Sequence, residues 1–195
     1  MGGGSSDAAT VLLALNRLWR LRWPRERLLA LAATVGADVP FFVFGRDALV
    51  QGIGEQLAPI AAPAQRFFVV KPPASLPTAD IFRSPLLKRD SASVILLGSL
   101  GSDALTGLGS GFGRNDLQAA AEDRCAEVAQ AARWLEQRFG NSRMTGSGSA
   151  VFARVGTGDP PLATRLEEAA LQLPAGWVGR SCRSLGRHPL ADWAG

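Results

Sequence analysis

Four stretches of this chain place residue types at spacings that can do chemistry. The first is Gly2-Gly-Gly-Ser-Ser-Asp-Ala-Ala9. Glycines admit backbone turns closed to other residues and let a ligand approach the main chain. Free N–H groups at the start of a following helix then face an anion, with the helix dipole in support. The hydroxyls of Ser5 and Ser6 can add hydrogen bonds to phosphate or help place a magnesium ion. The spacing is neither a Walker A loop nor the dinucleotide Gly-x-Gly-x-x-Gly. A flexible linker or frayed terminus would carry the same composition.

The second is Asp38 in Gly36-Ala-Asp-Val-Pro-Phe-Phe42. A carboxylate among valine, proline and phenylalanines is expected to be poorly solvated, so it is paired or does chemistry. As a base it would accept a proton from a hydroxyl attacking phosphorus. The plainer use is a turn-forming aspartate after a helix-ending glycine. The third is Thr145-Gly-Ser-Gly-Ser149, either a second phosphate-facing loop or a turn into the next strand. The fourth is Pro77-Thr-Ala-Asp-Ile-Phe82, where Thr78 can cap a short helix and Phe82 can stack on a flat ring or pack in the core. His188, the only histidine, excludes a multi-histidine metal site and suits capping or packing.

These residues need elements to hold them. Residues 8–19 read as a helix, apolar nearly all round and so expected to be buried on most sides, with Ser5 or Ser6 as its N-cap. Pro24 opens a second helix over 25–35, stopped by Gly36. Residues 48–51 and 56–60 read as a hairpin around Gly52-Ile-Gly54, and 66–71 as a buried strand ended by Pro72 and Pro73. A short helix is expected over 78–83, and a short helix with a glycine-rich loop over 91–113. Asn115-Asp116 leads into the longest expected helix, to about 139. A strand at 150–155, a helix near 161–173 and a strand at 177–182 follow, as in an α+β sandwich with an antiparallel sheet.

With 195 residues, 47% of them hydrophobic, the chain can bury a core in one domain or two tight subdomains. No apolar run approaches the roughly 18 to 20 residues of a membrane span, and a cytoplasmic location is expected. Cys125 and Cys182 have no metal-like spacing. The pI near 10.0 is the only feature favouring nucleic acid. Arginines spread from Arg17 to Arg187 form no basic stripe interleaved with aromatics, so nucleic acid is not expected as a partner.

In this order, Gly-Gly-Gly-Ser-Ser-Asp-Ala-Ala-Thr, Gly-Ala-Asp-Val-Pro, Pro-Thr-x-x-Ile-Phe, Asn-Asp-Leu and Thr-Gly-Ser-Gly-Ser-Ala-Val-Phe resemble the GHMP kinases. The match runs from residue 1 to about residue 190. It is nearest the branch that phosphorylates a cytidyl-capped methylerythritol on the route to isoprenoid precursors. The resemblance implies an α+β fold, with residues 1–62 belonging to the N-terminal, ATP-binding domain and 63–195 to the C-terminal domain. It implies ATP with Mg2+, and transfer of the γ-phosphate to the substrate 2-hydroxyl. It puts Gly2, Gly3, Gly4, Ser5 and Ser6 at the end of the ATP loop, Asp38 at the catalytic aspartate, and Thr78 and Phe82 on the substrate side.

The family's glycine loop starts earlier than this chain does. The resemblance therefore implies an absent upstream third, with a catalytic lysine and a cytidine-gripping segment. Residues 1–195 alone are expected to fold poorly, or to associate as a homodimer or aggregate through exposed apolar surface, and to have little kinase activity. A non-catalytic nucleotide- or protein-binding remnant is the alternative.

Overall fold

The computed structural model describes residues 2–89, 113–155 and 160–194. The expected helix and loop over 91–113 thus lies, but for Gly113, outside the described residues. The chain divides into two compact units, residues 2–63 with 185–195, and residues 64–184. Residues 185–195, last in sequence, therefore pack with the first helices.

In the first unit, α1 is Gly3–Leu18, α2 Arg25–Val35 and α3 Val39–Phe44. The helix α1 starts earlier than its residues suggest. Gly2 is the N-cap in the left-handed conformation, and Ser6 N–H already donates to the Gly2 carbonyl at 2.8 Å. Ser5 and Ser6 thus lie inside the first turn instead of capping it. Nor is α1 buried on most sides. Ala9, Leu13 and Asn16 form one buried stripe at helical spacing, while Val11 and Leu18 are exposed. That stripe packs with Leu28 and Ala32 of α2 and Val39 and Val43 of α3.

Asn16 is the polar member of this core. It donates to the carbonyls of Trp23 (3.3 Å) and Trp193 (3.2 Å) and accepts from Trp23 N–H (2.9 Å), tying α1 to the next loop and to the 3-10 turn Ala191–Trp193. Strands β1 (Ala48–Gln51) and β2 (Gln56–Pro59) form the expected hairpin, with Gln51 opposite Gln56 at its closed end.

The second unit is a four-stranded antiparallel sheet in the order β4-β5-β3-β6. Its strands are β3 (Arg66–Lys71), β4 (Arg143–Met144), β5 (Val151–Val155) and β6 (Val178–Arg183). Alternation decides the faces: Phe68 and Val70 of β3 point into the core with Val151, Ala153 and Val155 of β5. The short α4 is Thr78–Phe82, and α7 is Pro160–Leu171. The expected long helix is two helices, α5 (Gln118–Arg124) and α6 (Ala126–Phe139). Cys125 breaks it with an extended backbone, φ −144° and ψ 101°. No glycine or proline marks that break in the sequence, and α1, with 16 residues, is the longest described helix. Helix α6 buries Val128, Ala131, Ala132 and Leu135 in the same core as β5.

Candidate functional site

Two clusters hold the residues singled out by type, one in each unit. In the first, Gly2 sits against α3: a Cβ there would lie 3.0 Å from the Phe42 ring, and its φ of +66° also favours glycine. Gly3 and Gly4 are different. Both are exposed, and a Cβ on either would meet nothing within 4 Å. Packing therefore does not require glycine at these two positions. The first intrahelical donor is Ser6, so the N–H groups of Gly3, Gly4 and Ser5 have no acceptor within α1. A cluster of N–H groups at the positive end of a 16-residue helix suits an anion.

Ser6 also borders a largely apolar cavity of about 460 Å³. Phe41, Phe42, Leu185 and Pro189 form its apolar wall, with Arg46, Asp47 and His188 as polar members. His188 holds this wall in place. Its backbone N–H donates to the Gly45 carbonyl (2.8 Å), and its Nδ1 accepts from Leu190 N–H (3.1 Å).

Asp38 is the N-cap residue of α3, but its carboxylate makes no capping hydrogen bond. The expected poor solvation is not found: Asp38 is exposed. Val39, Pro40 and Val43 turn inward, so the apolar neighbours that suggest burial are on the other side of the helix. Val39 N–H closes the turn onto the Gly36 carbonyl at 3.1 Å.

The hairpin presses on this turn. Gly54 has φ +122°, and a Cβ there would fall 2.0 Å from the Ala37 carbonyl oxygen. Glu55 braces the hairpin loop from beside it, its Oε2 accepting from Ile53 N–H at 2.8 Å. Backbone N–H groups, its own first and then that of Ile53, hold the Glu55 carboxyl below the ordinary glutamate pKa.

In the second unit the structure joins two motifs that stand apart in the sequence. Thr78 Oγ1 and Ser147 Oγ are hydrogen-bonded at 2.7 Å, linking the start of α4 to the loop before β5. Asn115 fastens that loop: its Nδ2 donates to the carbonyls of Met144 and Gly146, both at 2.8 Å. Its Oδ1 accepts from Leu117 N–H at 3.0 Å, and Gln118 Oε1 accepts from Met144 N–H at 2.9 Å. Ser149 is buried, donating to the Ala74 carbonyl at 2.5 Å and receiving Lys71 Nζ at 3.4 Å. Gly148 is needed where it stands, because a Cβ would meet Met144 Sδ at 2.9 Å and its φ is +90°.

Phe82 is 48% exposed, whereas its neighbour Ile81 is fully buried. The core reading of Phe82 is therefore excluded, and its ring is accessible to a ligand. Burial draws the Arg143 guanidinium below its ordinary pKa. Residue types and spacing do not disclose the roles of Asn115, Gln118 and Gly54. The Asn115-Asp-Leu117 run is the one visible signal among them.

Among the described residues no group of three or more His, Cys, Asp or Glu is placed to hold a metal. No described helix is long and apolar enough to cross a membrane.

The helix-start glycine loop and the clamped Thr-Gly-Ser-Gly-Ser loop define a class. Residues 1–46 match the family model described as GHMP kinases N terminal domain, and residues 99–178 the one described as GHMP kinases C terminal. The chain belongs to the GHMP kinases, with their α+β fold.

Within that family it is similar to 4-diphosphocytidyl-2-C-methyl-D-erythritol kinases. It is 53% identical to that of Methylibium petroleiphilum, covering 100% of this chain and 65% of the relative. It is 49% identical to that of Polaromonas naphthalenivorans, covering 99% and 61%. A crystal structure of 4-(cytidine 5'-diphospho)-2C-methyl-D-erythritol kinase superposes with a TM-score of 0.68 at 34% identity, covering 93% of this chain and 64% of that one. The chain thus spans 61 to 65% of the length of these two curated relatives.

Proposed function

We propose that this chain carries ATP- and substrate-binding parts of a kinase that transfers the γ-phosphate of ATP to the 2-hydroxyl of 4-diphosphocytidyl-2-C-methyl-D-erythritol. The similarity to kinases of that name over the whole chain supports the reaction. The observation that carries the site assignment is the start of α1, where two exposed glycines precede N–H groups with no acceptor in the helix. In this reading Gly2, Gly3, Gly4, Ser5 and Ser6 bind the ATP phosphates, and Asp38 accepts the proton of the attacking hydroxyl. Thr78 and the exposed Phe82 ring contact the cytidyl-capped substrate. The hydroxyls of Ser5 and Ser6 would help hold an ATP-bound Mg2+, which would supply charge neutralisation at the transferring phosphoryl group. The reaction belongs to the cytoplasm, where ATP is available.

One observation favours a second reading, a nucleotide-binding module without transfer activity. Asp38 is exposed and its carboxylate makes no capping hydrogen bond, whereas a general base needs a fixed position beside the hydroxyl it deprotonates.

Calorimetry with ATP and Mg2+, together with phosphorylation of the cytidyl-capped substrate, tests both readings. The expected result is ATP binding that Ser6→Ala weakens and Asp38→Asn does not. Turnover should fall roughly 10²- to 10⁴-fold in Asp38→Asn, the span a general base contributes. Normal turnover in Asp38→Asn would remove that residue from the chemistry. ATP binding without transfer would establish the second reading, and no ATP binding would overturn both.

A further inference from the structure

A cavity of about 350 Å³ opens at the C-terminal end of α3. Arg25, Arg46 and Arg187 line it with Phe44, two glycines and Ala191, and no acidic residue is among them. Helix α3 has six residues, so about 9 Å of helix separates this cavity from Asp38 at the other end. Three guanidiniums around one space whose lining includes no carboxylate, the Asp47 carboxylate lying beside Gly186 at its edge, is an arrangement that costs free energy while the space holds only water.

Each arginine is held differently. Arg25, half-buried, is the fixed wall. Its guanidinium donates to the carbonyls of Val43 (2.6 Å), Phe44 (3.3 Å) and Ala191. Those three bonds go to neutral acceptors and leave two of its five N–H donors and its full charge in place. Burial first, and then the neighbouring Arg46 charge, lowers its pKa. Arg46 and Arg187 are exposed and stand opposite one another in an isolated antiparallel bridge. Like charges directly opposite on paired strands destabilise the pairing.

The compensation on hand is small. The Arg46 guanidinium lies 4.9 Å from the centre of the Phe44 ring, and Arg187 pairs with Asp192. The other acid acting on Arg25 is its neighbour Glu26. Neither Asp192 nor Glu26 lines the cavity. Among the described residues, no carboxylate lies within salt-bridge distance of Arg25 or Arg46.

We propose that this cavity is a binding site for a phosphate-class oxyanion, with Arg25 as its rigid wall and Arg46 and Arg187 as forks that close on the ligand. Guanidinium forks match the oxygens of a phosphoryl group in bidentate geometry, which selects this class over a halide. The volume exceeds that of a single phosphate and admits a diphosphate. The ligand is either free diphosphate or the diphosphate of a nucleotide. Gly45 and Arg46 also line the neighbouring cavity that Ser6 borders, so the two cavities adjoin, but Arg25 and Arg187 belong to this one alone and the proposal does not depend on the kinase reading.

Amide and arginine-Nε NMR of the 195-residue chain, titrated with inorganic diphosphate and in parallel with CDP, tests the proposal. Saturable shifts are expected at Gly45, Arg46, Gly186 and Arg187. The double variant Arg46→Gln/Arg187→Gln should weaken binding about a hundredfold, roughly tenfold for each guanidinium fork removed from the anion. Both side chains are exposed, so the fold should tolerate the change. If the double variant does not fold, Arg46→Gln alone decides, and Arg46→Lys should recover part of the affinity.

Equal affinity for the two ligands identifies free diphosphate as sufficient, and tighter CDP binding assigns the nucleotide. Either result supports the site. Absence of saturation by about 10 mM, or affinity unchanged in the variant, overturns the proposal. So do shifts confined to Gly3–Ser6, which would place the anion at α1.

Discussion

Replacing Gly54 with alanine should move the turn that carries Asp38. The added Cβ would sit 2.0 Å from the Ala37 oxygen and 2.9 Å from the Ala37 carbonyl carbon, both backbone atoms that cannot swing aside. Ordinary contact needs about 3.4 Å, so hairpin and turn must separate by roughly 1.4 Å. The φ of +122° adds strain of about 1–3 kcal/mol for a residue with a side chain. Forced separation in a packed region costs a further ~1–3 kcal/mol, for a total of roughly 2–4 kcal/mol once partial relaxation is allowed.

Gly52→Ala is the control. It too has positive φ (+69°), but its Cβ would meet the Glu55 carboxylate, a side chain that can rotate away. Urea denaturation should therefore rank wild type above Gly52→Ala and Gly52→Ala above Gly54→Ala. Hydrogen exchange at Val39 N–H, bonded to the Gly36 carbonyl, should accelerate in Gly54→Ala alone. A Gly54→Ala chain within about 0.5 kcal/mol of wild type, with Val39 still protected, would show that the hairpin does not hold this turn.

Asn115→Ala removes two donors to the Met144 and Gly146 carbonyls and should cost about 2–3 kcal/mol; its local signature is faster exchange at Thr145 N–H, which bonds the Ala150 carbonyl. Glu55 has a folded pKa below its unfolded value, so its contribution is present above about pH 4.3 and lost as pH falls through the folded pKa. A carboxyl NMR titration that gives Glu55 an ordinary or raised value would contradict the bracing seen at Ile53. Gly4→Ala should leave stability unchanged or raise it by up to about 1 kcal/mol, because the position is helical and open, while weakening ATP binding. Unfolding and calorimetry on the same sample check that split, and loss of stability would mean that Gly4 serves packing after all.

The elements that are legible carry their own signals. Phe68 and Val70 alternate with outward residues up to Pro72, so β3 can be read from its residues alone. The hairpin is marked by Gly52 and Gly54, both of which adopt positive φ. What fails are inferences from neighbours in sequence to neighbours in space. Val39, Pro40 and Phe41 flank Asp38 along the chain, yet helix α3 buries Val39 and Pro40 and leaves the carboxylate in solvent. The apolar run of α1 suggests burial on most sides, but only Ala9, Leu13 and Asn16 are buried, with Ala8 and Leu12 half-buried beside them. Cys125 interrupts a continuous 121-125-128-132 face, so no period marks the break.

The same reasoning separates the glycines by purpose. Gly54 and Gly148 are required by neighbours within the fold: the Ala37 carbonyl for Gly54, and Met144 with Leu76 for Gly148. Their Cβ atoms would strike those neighbours whether or not a ligand binds. Gly3 and Gly4 have no such neighbour, and helix propensity argues against glycine at both. Composition alone does not tell these pairs apart, since each of the four stands close to another glycine in the chain. An unneeded and mildly destabilising glycine beside open helix-start N–H groups is best explained by something that must approach the backbone closely. A structural glycine becomes more costly to replace as packing tightens. A binding glycine should be replaceable at no cost to the fold, with the loss appearing only when ATP is added.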